Sequence, residues 1–361
     1  MRPPLLFIPG PVPIHPSVLE EMAKPALPHY GPAWVKAYKE VLGLLRYVWS
    51  APKARVFPFL GPGHAGIEAL IHTFFRRADR VVVLDNGFFG ARLREVVRSH
   101  HIEVDLVSSP WGQGLDLQGL RTALRKPAKA VVVVHNETST GVTNPLEESA
   151  ELAHEKDALV LVDAVSSLGG LSLPFDDLGL DGAFSASQKC LAAPAGIAPI
   201  AVAPSLWESS DPNEAEGWYF NLHTWDRYEH DWGDWHPSPT TISSNLFHAV
   251  RRSLQLVKAE GLDERIARHA AMARLLRGGL AETGFRPIAP DLLLSNTVTC
   301  VAPPDGVDAE AVIARLREEH NVYVAGGLGP LHGKILRIGT MGTQADPEVI
   351  GEFLGALRAC L

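Results

Sequence analysis

Asp163 and Lys189 are the two residues whose types and spacing most directly suggest chemistry. An apolar run over residues 158–162 ends in Asp163 and is followed by small residues, the pattern of a buried parallel strand emerging at its C-terminal edge. A polar connector leads to a second strand-like run at 182–185 and then to Ser187, Gln188 and Lys189, after which a Pro/Gly-rich segment breaks any regular helix. Both side chains then fall at one edge of one sheet, where open α/β sheets bind their ligands. A carboxylate and a primary amine held there suit a pyridine cofactor bearing an aldehyde: the amine condenses with the aldehyde as a Schiff base, and the carboxylate keeps the ring nitrogen protonated. Taken singly, a strand-end aspartate is usually a turn or cap residue and a lysine is usually solvated.

The elements that must position this pair follow from hydrophobic periodicity. Strand-like runs at 80–84, 130–134, 158–162 and 182–185 alternate with helical segments between about residues 57 and 205. That alternation predicts an α/β fold with a mostly parallel, doubly wound sheet. The segment FPFLGPGH, ending at His64, precedes a helical pattern at 65–75, so Gly63 and His64 fall at a helix N-terminus, where free N–H groups and the helix dipole favour a phosphate. Glycine-rich loops are otherwise mostly turns. Residues 1–20 read as an extended arm because Pro9, Pro11, Pro13 and Pro16 deny it regular structure, and an amphipathic helix follows at 33–49. Thr241 is the N-cap candidate for a helix reaching about residue 260, and Asp263 or its neighbours for a long helix reaching about 282. The division expected is a large cofactor-binding domain over 21–260 and a small α+β domain over 261–361. The small domain should contain strands near 297–301 and 335–338, a helix near 308–319 and a closing helix from Pro347.

Composition narrows the function classes. The chain has 361 residues, 46% hydrophobic, and a net charge of −8, with no polybasic run to attract nucleic acid. No apolar stretch approaches membrane-spanning length and the N-terminal patch is too short and proline-rich for a signal peptide, so a cytoplasmic protein is expected. Three widely spaced cysteines argue against a disulfide framework and against a clustered metal site. Half of the tryptophans lie in residues 218–236, interleaved with His223, His230 and His236. Their spacing suits neither a helical metal pair nor a finger, so an aromatic loop near the substrate entrance or a subunit interface is expected, with no metal.

The motifs DAVSS from Asp163 and SASQK ending at Lys189 resemble the cofactor aspartate and Schiff-base lysine motifs of the class V aminotransferases, fold-type I pyridoxal-phosphate enzymes. The likeness covers nearly the whole chain, through PGPVP from Pro9, GPGH from Gly61, WGQG from Trp111, HNETSTGV from His135, SNTVT from Ser295 and GKILRIG from Gly333. It is strongest to the serine–glyoxylate and alanine–glyoxylate group. The resemblance implies pyridoxal 5'-phosphate held by Gly63, His64, Phe89, Thr138, Asp163, Val165, Gln188 and Lys189. Phe89 would stack on the pyridine, Thr138 would sit near the phenolic oxygen, and Thr241 would reach the phosphate of the neighbouring subunit of a homodimer. Phe89 read alone is equally a core ring near a turn, and Thr138 alone a cap.

Arg337 lies in an apolar run where an unpaired guanidinium is costly, so it needs an internal acid or an incoming carboxylate; the resemblance assigns it the substrate α-carboxylate. The chain departs from the family pattern at Gly31, where an arginine is frequent, at Pro62, where a hydroxyl is usual, and at Ser238, where alanine–glyoxylate relatives carry tyrosine. The activity implied is transfer of an amino group from serine or alanine to glyoxylate or pyruvate. The rival readings are a donor such as aspartate or a phosphonate amine, a cysteine desulfurase-like lyase, and a cofactor-binding scaffold. The lyase needs a mobile nucleophilic cysteine, whereas Cys300 lies in a strand-like run and Cys190 directly follows the lysine.

Overall fold

The computed structural model describes residues 3–361. Seven strands form its central sheet. Ala130–Val134 and Leu159–Asp163 lie in its middle, aliphatic and β-branched runs almost wholly shielded on both faces, as buried parallel strands require. Across the sheet the order is Arg55–Leu60, Ile197–Val202, Gly182–Phe184, Leu159–Asp163, Ala130–Val134, Arg80–Asp85 and Glu103–Ser108. Ile197–Val202 is the single reversed strand, antiparallel to both its neighbours; the other pairs are parallel, as expected. The helix Gly63–Phe74 packs on Ile197–Val202 and Gly182–Phe184 and buries Ile67, Leu70, Ile71 and Phe74. Each such side chain contributes about 1.5–3 kcal/mol when fully withdrawn from water.

A second core gathers Phe285, Val301, Leu316, Ile338 and Phe353. It belongs to a four-stranded antiparallel sheet, in the order Arg286–Pro287, Val298–Ala302, Leu336–Gly339 and Ala325–Gly326, and to the helices Ala309–His320 and Pro347–Ala359. Among the described residues no helix is long and apolar enough to cross a membrane.

The first twenty residues are not extended throughout. Leu5–Leu6 pairs in parallel with Val322–Tyr323, and Phe7 enters the second core against Phe353, ring centroids 4.6 Å apart. Pro16 opens a helix, Pro16–Ala23, because a proline in the first turn lacks only an N–H that would have had no partner there; His15 Nδ1 accepts from Ser17 N–H as its cap.

Two caps also differ from expectation. Ser243, not Thr241, caps Ser244–Glu260. The helix Leu262–Glu282 has no side-chain cap, because Gly261 (φ +88°) ends one helix and starts the next, leaving no residue between them to supply an oxygen. Asp263 and Glu264 instead oppose the dipole from inside the first turn.

The tryptophan-rich stretch is not a loop alone: it contains the helix Leu222–Asp231, capped by Asn221. Trp225 is buried and donates to the Tyr219 carbonyl, while Trp218, Trp232 and Trp235 are exposed. His223 packs on Trp207 at 4.4 Å and hydrogen-bonds Ser210.

Candidate active site

Strand ends of the large sheet converge on one partly enclosed cavity of about 200 Å³. Asp163 ends its strand there, and the turn after Gly182–Phe184 brings Lys189 to the same space. Gln188, Val165 and Thr138 line it as well, and so do Gly63 and His64 from the start of their helix and Phe89 from the start of Phe88–Ser99. Thus the amine and the carboxylate face one void, not opposite sides of the sheet. An apolar void of about 150 Å³ already accepts benzene, so a substituted six-membered ring is within its compass.

The cavity's electrostatics come from burial. Withdrawal from water raises the Asp163 carboxyl to about 7; the Val165 N–H donated to its Oδ1 at 2.8 Å and the Lys189 charge pull the other way, and Glu137 adds to the rise. Lys189 is lowered to about 8, first by burial and then by the Arg337 cation, against the opposing effects of Cys190 and Asp163. Its Nζ donates to the Pro9 carbonyl of the arm. Burial and the Arg92 cation lower His64. Such a desolvated amine is more nucleophilic near neutrality than an ordinary lysine.

The donor set fits a phosphorylated pyridine aldehyde. Pro62 caps the Gly63–Phe74 helix with no side-chain bond, so the first-turn N–H groups of Gly63 and His64 are the anion donors on offer. A Cβ on Gly63 would stand 3.0 Å from Val165 Cγ2 and 3.3 Å from Ala186 Cβ, so any larger residue would have to push these side chains aside by a few tenths of an ångström. The Gln188 Oε1 is buried with no hydrogen-bond partner among the described residues, which leaves it wanting a donor.

Two residues implied by the resemblance lie elsewhere. Arg337 is buried in Leu336–Gly339 but does not line the cavity; its Nε donates to the Gly326 carbonyl at 2.7 Å, and the carboxylate whose charge acts on it is that of Glu137. Its charge nonetheless reaches Lys189. Thr241 is exposed, 3.3 Å from His29 Nε2, and belongs to no wall of this chain's cavity. Gly31, at the position of the frequent arginine, serves as the N-cap of Pro32–Val48 at φ +86° and donates to the Trp235 carbonyl. Ser238 is buried and donates to the Thr240 carbonyl.

The sequence reading missed Asn136 and Ser166, which line the cavity themselves, and the network that joins them to Thr297 and Glu137 outside its lining. Asn136 donates to Ser166 Oγ at 2.9 Å and Thr297 Oγ1 at 3.0 Å, and Thr138 Oγ1 lies 2.9 Å from Ser166 Oγ. The fully buried Glu137 accepts from the backbone N–H groups of Phe89, Gly90 and Ser139. These residues lie inside the HNETSTGV, DAVSS and SNTVT motifs, so the signal was present but unassigned to individual side chains. A larger cleft of about 770 Å³ near Glu260 and Arg268 offers no comparable chemistry, because Arg268 is already held by Glu260 at 2.6 Å and by the Gly342 and Ala345 carbonyls.

A model of the family described as aminotransferase class-V matches residues 22–336. An uncharacterized aminotransferase of Methanocaldococcus jannaschii is 36% identical over 96% of this chain and 90% of its own. A (S)-ureidoglycine–glyoxylate transaminase of Bacillus subtilis is 31% identical over 99% and 90%. The crystal structure of an alanine–glyoxylate aminotransferase from Nostoc sp. superposes with a TM-score of 0.93 at 35% identity, covering 100% of this chain and 96% of that one. With a family of pyridoxal-phosphate enzymes matched across most of its length, the chain belongs to the class V aminotransferases.

Proposed function

We propose that this aminotransferase holds pyridoxal 5'-phosphate in the Asp163–Lys189 cavity and moves an amino group from a small amino acid, serine or alanine, to a keto acid, glyoxylate or pyruvate, in two half-reactions. The observation that carries the reading is the convergence of one carboxylate and one desolvated lysine amine on a single ring-sized void. Glyoxylate appears in the names of two of the proteins to which the chain is similar, which supports it as acceptor.

Each side chain has a derived task. Asp163, in its ionised form, holds a proton on the ring nitrogen, and Val165 N–H fixes the carboxylate's orientation. Gly63 and His64 receive the phosphate at a helix N-terminus. Phe89 covers a ring face, Thr138 faces the phenolic oxygen, and Gln188 lies beside the lysine. Lys189, once its amine is free, would move a proton from the substrate α-carbon to the carbon that carried the cofactor's aldehyde, and in the second half-reaction would move one in the opposite direction. When bound, the cofactor supplies an electron-withdrawing ring that accommodates the charge left behind by that proton. Arg337 binds the substrate carboxylate through the terminal nitrogens that Gly326 leaves free. Thr241 completes the phosphate site of a second subunit in a homodimer, and the setting is cytoplasmic.

The desulfurase alternative fits poorly, because burial pushes the thiols of Cys190 and Cys300 up to about 12, where no nucleophilic thiolate forms. The deciding experiment incubates the protein with pyridoxal phosphate, reduces with borohydride and maps the modified peptide. Attachment at Lys189, absent from Lys189→Ala, is expected, and attachment retained in that variant ends the lysine assignment. Scanning amino donors against glyoxylate and pyruvate should yield keto acids; sulfide or selenide as product would overturn the transaminase reading.

A further inference from the structure

Away from the cavity, Glu68 and His72 stand four residues apart on the Gly63–Phe74 helix and so share a face, while His100 terminates the neighbouring Phe88–Ser99 helix beside them. Each of the three brings a ligand atom within 4.8 Å of the others. His100 Nε2 lies 3.9 Å from Glu68 Oε2, and the two imidazoles meet edge to face with centroids 4.9 Å apart. Independently, His72 Nδ1 and His100 Nε2 are shut off from solvent with no hydrogen-bond partner among the described residues. Neither ring has a task in the reaction derived above.

We propose that Glu68, His72 and His100 form a site for a divalent transition metal, zinc or a similar borderline ion. Two imidazoles and one carboxylate are the donors such ions select, whereas calcium and magnesium prefer an all-oxygen shell. Tetrahedral zinc with ligand bonds of about 2.0–2.1 Å places its donors about 3.3 Å apart, so the side chains close by about an ångström as the ion enters. Water takes the fourth position, or Glu216 does, whose charge already acts on His100.

The site is structural, and its place gives it a purpose. The helices it clamps are those whose first turns carry His64 and Phe89 into the cavity, so the ion fixes the spacing of two walls without touching the reaction. The other donor cluster, Glu319, His320 and Cys360, is less suited, because Arg315 already holds Glu319 at 2.9 Å.

The test uses the full chain stripped by a chelator and titrated with Zn²⁺, then with Co²⁺ as a coloured substitute. One ion per chain, a rise in Tm and a visible ligand-field band for Co²⁺ are expected. His100→Ala and His72→Ala should each weaken binding on the order of a hundredfold or more, while His223→Ala leaves it unchanged. His100 is only partly buried and sits at the end of its helix, so its variant should fold and decides the matter even if His72→Ala does not fold. Binding below one ion per chain, or undiminished in His100→Ala, overturns the proposal. Neither readout depends on cofactor or activity.

Discussion

Lys189 donates its Nζ hydrogen to the carbonyl oxygen of Pro9, a residue 180 positions earlier, so the N-terminal arm reaches the cavity's amine. The next residue explains how the arm comes so close. Gly10 has φ +83°, and a Cβ there would lie 2.6 Å from Lys189 Cδ and 3.0 Å from its Nζ. Gly10→Ala should therefore displace the lysine rather than unfold the protein, because the group that yields is the end of a flexible side chain. We expect cofactor incorporation, followed by the growth of its visible absorbance, to slow at least roughly tenfold. Left-handed backbone strain should cost stability only about 1–2 kcal/mol. Incorporation at the native rate would show that the arm does not govern the amine.

Acidity provides the second prediction. Lys189 at about 8 is mostly protonated at neutral pH, and only the neutral amine attacks an aldehyde. The rate of covalent capture of pyridoxal phosphate, trapped by borohydride, should rise with pH and level off above about 8; a profile still climbing toward the ordinary lysine value of 10.5 would contradict the assignment.

Stability of the cofactor-free chain should follow the same groups with opposite signs. Asp163 keeps its proton up to about 7 when folded but has an ordinary value of 3.8, so the folded state binds the extra proton between those values and stability falls as pH rises through that window. Lys189 reverses the trend between about 8 and 10.5, where the unfolded chain binds the extra proton and stability rises with pH. Urea unfolding of wild type and Asp163→Asn across this range isolates the carboxyl: the stability difference between the two should fall as pH rises from about 3.8 to about 7. The alkaline rise should persist in the variant but begin at a lower pH, because Asp163 also holds Lys189 up.

How much of this was legible in the sequence depended on range. Asp163 and Lys189 were readable because strand edges follow from local apolar runs, and Gly63 and His64 because a helix start follows from periodicity. Arg337 was readable as a buried cation but not as one bonded to the Gly326 carbonyl and absent from the cavity lining, since that depends on how Leu336–Gly339 pairs with Ala325–Gly326. The arm defeated local reading altogether: its prolines conceal a helix, and its pairing with Val322–Tyr323 is a contact across almost the full chain. The capping error at Thr241 is a shift of two residues, the usual limit of boundary inference.

Glu137 tests the layer that individual residue types did not disclose. Its carboxylate accepts from the N–H groups of Phe89 and Gly90 on one oxygen and from Ser139 on the other, and burial raises its pKa. Glu137→Gln replaces one acceptor oxygen by an NH₂ that faces donors. The loss expected is about 1–3 kcal/mol in unfolding free energy, with weaker retention of cofactor because Phe89 loses its anchor. Since Glu137 also raises Asp163, the fall of stability with pH that Asp163 produces should end at a lower pH in the variant, a change that a purely structural role would not produce.

Arg337 provides the most discriminating substitution, because its two roles separate in kinetics. If its guanidinium binds substrate carboxylates, Arg337→Ala should raise KM for every amino acid and keto acid by the equivalent of about 1.5–3 kcal/mol, while the borohydride-fixed adduct at Lys189 forms normally. Arg337→Lys should recover only part of the loss, since an ammonium cannot make the paired bonds of the guanidinium fork. Its cation also lowers Lys189, so Arg337→Ala should move the capture profile toward higher pH, the direction that restoring an ordinary lysine demands. A KM unchanged for carboxylated substrates, together with that shifted profile, would leave Arg337 as a tuner of the amine and transfer the carboxylate site to another residue.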